Sequence, residues 1–149
     1  MNNQLYEEFK EILHSELIPA LGCTEPGAIA YAAAQTRALL GEKPDSIELW
    51  CNGNIVKNVK GVIVPNSGGM RGIEAAAVLG ILATPNICSD ENDLEVLNNI
   101  TQDDINEAKT LLKNNFCKCY LEEDTPNLYI KVIARSDRHQ AQVIIKDSH

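Results

Sequence analysis

The chain has 149 residues, 44% hydrophobic and 23% charged, which suits one domain with a buried core and excludes a disordered tail. Lys and Arg number 13 against 21 Asp and Glu, a formal net charge of -8. This balance argues against general binding to nucleic acid or to an anionic membrane surface. Aromatic residues make up only 5%, so the core must be built from Ala, Val, Ile and Leu. The chain begins Met1-Asn2-Asn3-Gln4 and soon carries Glu7, Glu8 and Glu11, which is unlike a secretory signal. The apolar runs Ala28–Ala34 and Ala75–Ala83 are too short to span a bilayer, and the expected location is the cytoplasm.

Leu5, Phe9, Ile12, Leu13 and Leu17 recur at helical spacing and predict an amphipathic helix ended by Pro19. Thr24 is a suitable N-cap, and Glu25-Pro26 suits the first turn of a helix. That Ala-rich helix runs to about Leu40 and stops at Gly41. Its small side chains permit close packing, so it is expected near the centre of the fold. Ile47, Leu49 and Cys51 alternate with Glu48 and Trp50, the pattern of a strand ending at Asn52-Gly53. Ile55, Val56, Val59, Val62 and Ile63 fit a short helix, although their β-branched content also suits a strand.

Pro65-Asn66-Ser67-Gly68-Gly69 reads as a loop, and Gly72 to Ala83 as a second small-residue helix. An acidic connector at Asp90–Asp93 precedes Leu94, Leu97 and Ile100, which hint at a short helical stretch. Thr101 opens another helix, with Asp103 and Asp104 in its first turn and Lys109 and Lys113 toward its end. Three strands follow: Cys117–Leu121, Leu128–Ala134 and Gln140–Lys146, the last two joined at an Asp137-Arg138 turn. The expected class is α+β, with about four short strands, mostly C-terminal. Residues 1–149 read as a single domain, with a possible internal boundary near 89–93. No repeat or low-complexity segment is present.

Five cysteines, Cys23, Cys51, Cys88, Cys117 and Cys119, are irregularly spaced and form no Cys-x-x-Cys. The odd count argues against a disulfide framework. Cys23 immediately precedes a predicted helix N-terminus, where unpaired amides favour a thiolate. From position alone, a small buried hydrophobe in a tight connector is the plainer reading. The Ser67-Gly68-Gly69 loop opens a helix near Gly72 and could cradle an anion, with Arg71 adjacent. An ordinary turn explains it as well, and it is no Walker loop. Asn54, Lys57 and Asn58 could hold the polar parts of a small substrate, or simply be solvated. Cys51 and Cys88 look isolated, Cys117 and Cys119 share one strand face, and His14 and His139 are expected to be solvated.

Three blocks carry a resemblance: Pro19-Ala20-Leu21-Gly22-Cys23-Thr24-Glu25-Pro26, Gly53-Asn54-Ile55-Val56-Lys57-Asn58, and Val64-Pro65-Asn66-Ser67-Gly68-Gly69-Met70-Arg71-Gly72-Ile73. In order and approximate spacing, the chain resembles the amino-terminal part of the iron–sulfur-dependent L-serine dehydratase alpha chain and L-cysteine desulfidase group. The resemblance implies a pyridoxal-independent β-elimination giving pyruvate and ammonia, plus sulfide from cysteine. It implies a [4Fe–4S] cluster acting on the leaving group, with cluster ligands outside this chain and none in it. It makes Cys23 a candidate base or nucleophile. Thr24, Glu25, Asn54, Lys57, Asn58, Ser67, Gly68 and Gly69 become candidate substrate-binding residues.

On this reading the partners are a small amino-acid substrate and the rest of the lyase or a partner subunit, with a homo-oligomer possible. The 149-residue chain alone is expected to be inactive. The alternatives are a catalytically silent ligand-binding or structural domain, and a scaffold for a separate cluster-bearing chain.

Overall fold

The computed structural model describes residues 11–17, 25–64, 67–83, 97, 100–123, 129–137 and 139–146, with side chains from residue 27 onward. Strand β1 (Glu11–Leu17) leads to helix α1 (Glu25–Leu40), strand β2 (Ser46–Cys51) and the short helix α2 (Gly53–Val59). Helices α3 (Ile73–Ala83) and α4 (Gln102–Lys113) follow, and strands β3 (Cys117–Leu121), β4 (Tyr129–Arg135) and β5 (His139–Lys146) close the order. The class is α+β, as the composition and patterning indicate.

One five-stranded sheet runs β1-β5-β4-β2-β3. β1 pairs parallel with β5, and β2 parallel with β3, while β4 is antiparallel to both β2 and β5. Four strands therefore point one way and β4 the other. The β1-to-β2 and β2-to-β3 crossovers step in the same direction across the sheet. The strong preference for right-handed crossovers then places their helices on one face.

Alternation along the strands divides the sheet into two faces. Ile47, Leu49 and Cys51 of β2, Ile130, Val132 and Ala134 of β4, and Ala141, Val143 and Ile145 of β5 are buried in the same core as the helices. α1 packs on β4, β5 and α3, and α3 also meets α4 and β3. Every residue of α3 except Glu74 is buried, as expected of a helix that is apolar all round. Arg37 donates to the Ile81 carbonyl at 2.7 Å and ties the end of α1 to that of α3. α4 carries the predicted cap: Thr101 accepts from the Asp104 amide, and the Asp104 carboxylate accepts from the Thr101 amide.

The other sheet face carries polar and aromatic side chains beside the buried Ile133 and Ile144. Trp50 and Tyr120 stack with ring centroids 4.5 Å apart, and Lys131 lies 5.2 Å from the Trp50 ring centroid. Glu48 accepts from Arg135 at 2.8 Å and from the Trp50 indole at 3.3 Å. Burial pushes the Glu48 carboxyl up, but the hydrogen bonds from Arg135 and Trp50 outweigh it and hold the group below the usual carboxylate range. A carboxyl depressed in the folded state adds stability above its unfolded pKa of about 4.3 and loses it as pH falls through the lower folded value. Glu48→Gln should therefore flatten the loss of stability below about pH 4. Urea midpoints measured across that range check this, and an unchanged pH slope would refute it.

Two expectations need correction. The helix predicted from Leu5 to Leu17 is a strand where it is described, at Glu11–Leu17. All seven of those residues are register partners of β5, from Glu11 opposite His139 to Leu17 opposite Ile145. Sheet pairing satisfies the backbone and overrides the local periodicity. The sheet accordingly has five strands instead of four. His139, expected in a solvated turn, opens β5 with its Nδ1 buried, and its carbonyl accepts from the Ser136 amide. The proposed boundary near 89–93 lies outside the described residues.

Candidate functional site

The candidate residues gather around two local structures between β2 and α3. The first is α2, whose N-cap Asn52 side chain accepts from the Asn54 amide at 2.7 Å. Ile55 and Val59 are buried and fix the inner side of the helix. Asn54, Lys57 and Asn58, spaced three and four apart, share its exposed side. Gly53 sits where an added β-carbon would lie 3.4 Å from Leu121, so α2 starts beside the C-terminal end of β3.

The second is a hairpin. The Val64 amide donates to Met70 at 2.8 Å, the Gly72 amide donates to Val62 at 3.1 Å, and Ile63 bridges Arg71. Its tip is the Ser67-Gly68-Gly69 segment. Gly68 and Gly69 take φ values of 72° and 101°, the left-handed region that favours glycine. Two successive positive values fit the tight turns that join short antiparallel arms.

Ser67 is buried and locks this turn from within. Its hydroxyl donates to the Val64 carbonyl at 2.6 Å and accepts from the Met70 amide at 2.9 Å. Ser67 thus orients the loop, while Gly68 and Gly69 form its exposed surface. A β-carbon on Gly69 would meet nothing within 4 Å, so open space faces that position.

Arg71 donates to the Gly61 carbonyl at 2.9 Å, which folds its guanidinium back along the hairpin. The Gly72 backbone passes close to the Lys60 carbonyl, so the hairpin base abuts the end of α2. Gly68 lies beside Ile105 of α4. The hairpin is therefore braced at both ends. Among the described residues, no hydrogen bond or ion pair joins Lys57 or Asn58 to Ser67, Gly68 or Gly69.

Cys23 and Thr24 lie outside the described residues, as does Cys88. α1 begins at Glu25. Cys51 is not isolated as expected: Cys119 is its diagonal neighbour on the adjoining strand. Only the parallel pairing of β2 with β3 reveals this placing, and no sequence signal announces it.

A [4Fe–4S] cluster requires several converging thiolates. Among the described residues no group of three Cys, His, Asp or Glu side chains could hold a metal ion. Burial pushes the Cys117 thiol well up, and the neighbouring Cys119 thiol together with burial does the same to Cys51.

The structure is an α+β domain whose hairpin carries an exposed glycine tip. The chain is 48% identical over 144 residues to a UPF0597 protein of Finegoldia magna, covering 96% of this chain and 34% of that protein. It is 41% identical over 146 residues to a UPF0597 protein of Lachnoclostridium phytofermentans, and 36% identical over 149 residues to one of Parabacteroides distasonis. Those matches cover 97% and 100% of this chain, and 34% of each relative. The chain thus spans about a third of the length of these curated relatives. No family model and no solved structure matches. These findings correct the resemblance drawn from the three blocks: the relatives are named UPF0597 proteins, and none is named a serine dehydratase or cysteine desulfidase.

Proposed function

We propose that this chain is the part of a longer cytoplasmic enzyme that seats the carboxylate of L-serine or L-cysteine for β-elimination. The observation that supports this is the exposed Gly68–Gly69 tip, fixed from inside by the Ser67 hydroxyl. A small amino acid offers few handles, and its carboxylate is the one with permanent negative charge. In an acidic chain, backbone amides supply local positive potential without a formal charge.

The amide and ammonium groups of Asn54, Lys57 and Asn58 supply further polar contacts. Cys23 takes the α-proton as thiolate, and Thr24 and Glu25 are assigned to substrate binding. Loss of the β-hydroxyl or β-thiol leaves an enamine, which tautomerises and hydrolyses to pyruvate and ammonia. A [4Fe–4S] cluster with ligands in the remaining length would act as Lewis acid on the leaving group. That remainder, as the rest of the same polypeptide or as a partner subunit, is the domain's expected partner, and the assembly can be a homo-oligomer.

The test uses the Finegoldia magna relative at its natural length. Purified without oxygen and given L-serine or L-cysteine, it should release pyruvate, read through lactate dehydrogenase. Folded protein that holds a [4Fe–4S] cluster after anaerobic reconstitution with iron and sulfide, yet yields no pyruvate from either amino acid, would overturn the proposal.

A further inference from the structure

We propose that the exposed arm Lys60–Ile63, with Arg71 beside it, docks an acidic segment in the remaining length of the longer protein, one with apolar side chains to meet Val62 and Ile63. This rests on the reading that the chain is part of a longer protein, and not on what the glycine tip binds.

Charge singles out this surface. No Asp or Glu occurs between Glu48 and Glu74, and that stretch holds Lys57, Lys60 and Arg71. The chain as a whole has a formal net charge of -8. Three cations elsewhere are paired: Lys43 with Glu107, Lys131 with Glu122 and Arg135 with Glu48. Among the described residues, no ion pair neutralises Lys57, Lys60 or Arg71. Lys60 and Arg71 are neighbours, since Gly72 passes close to the Lys60 carbonyl and the Arg71 guanidinium donates to the Gly61 carbonyl. Unpaired positive charge in an acidic chain attracts a carboxylate-bearing partner, while the net charge works against a second copy of the same chain.

Shape agrees with charge. Every residue from Lys60 to Ile63 is exposed, while Val59 and Val64 on either side are buried. The arm therefore projects from a fixed base. Val62 and Ile63 keep 40% and 48% of their surface exposed. Ile63 bridges Arg71, which puts those two side chains on one side of the hairpin. Hydrogen bonds from the Val62 amide to Val59 and from the Gly72 amide to Val62 hold the arm in place, so docking costs little ordering. Apolar side chains rimmed by charge are the usual anatomy of an interface.

Length points to the occupant. The relatives match nearly all of this chain, yet it fills only 34% of each. A partner on the same polypeptide meets the arm at high effective concentration, so a small surface is enough.

The test exchanges this chain for the 144 matched residues of the Finegoldia magna relative and compares the long protein with the chain alone. Acetylation of Lys60 should be at least about tenfold slower in the long protein. Carbodiimide should link Lys60 to a carboxylate in the added length. Lys60→Glu with Arg71→Glu should restore hydroxyl-radical labelling of Val62 and Ile63 to its level in the chain alone. The natural relative gives a second reading by hydrogen exchange: its segment matching Lys60–Gly72 should be at least about tenfold better protected than the same segment of this chain. Equal acetylation of Lys60 in both proteins, links confined to this chain, or an isolated chain that covers the arm by self-association would overturn the proposal. None of these readouts uses pyruvate release, so failure here is distinct from failure of the lyase reading.

Discussion

Replacing Gly80 with Ala is expected to destabilise the protein by about 3 kcal/mol, the upper part of the usual range for overpacking. A β-carbon at Gly80 would lie 2.3 Å from the Ala30 carbonyl oxygen and 2.8 Å from the Ala30 Cα. Both are backbone atoms of α1, so no side chain can swing aside. α1 and α3 would have to part, and the small residues along both would lose contact. Ala normally gains about 1 kcal/mol over Gly in a helix, which is too little to offset this.

Gly61→Ala is the control. An added β-carbon there meets nothing within 4 Å, and its φ is not positive. Urea unfolding should show a much lower midpoint for Gly80→Ala at similar slope, and a near-native midpoint for Gly61→Ala. A Gly80→Ala variant as stable as the native chain would show that the helices are not in backbone contact.

This helix pair is the part of the fold that the sequence shows most directly. Runs of Ala through α1 and α3 predict close, buried helices, and Gly80 is where the backbones touch. The Thr101–Asp104 box and the alternation in β2, β4 and β5 are equally readable, because caps and pleats leave local marks. β1 was hidden because its register with β5 spans nearly the whole chain. Within seven residues, Ile12, Leu13 and Leu17 suit a helix as well as a strand.

The site was legible in part. The Gly68-Gly69 pair announces a turn, and its positive φ values follow from that. The inward role of Ser67 was not legible, since a hydroxyl beside two glycines reads equally as a ligand to substrate. Its partners, the Val64 carbonyl and the Met70 amide, are set only once the hairpin forms. The placing of Cys119 diagonally beside Cys51 was invisible for a similar reason: strand alternation gives a face, but only the sheet order gives a neighbour.

Gly69→Val should abolish most carboxylate binding, lowering affinity by at least about tenfold, which corresponds to roughly 1.4 kcal/mol. With φ at 101°, Gly69 occupies backbone space that a β-branched residue rarely enters. The exposed tip would rearrange. The fold should survive, because the added atoms meet no core group.

The central claim, that this tip receives an amino-acid carboxylate, is tested most directly by titrating the isotope-labelled chain with L-serine and following backbone amides by NMR. Saturable shifts are expected at Gly68 and Gly69, absent with serinamide, which lacks the carboxylate, and lost in Gly69→Val. If serinamide shifts the same amides as L-serine, or if L-serine leaves Gly68 and Gly69 unmoved, the tip does not bind the carboxylate and the account is contradicted.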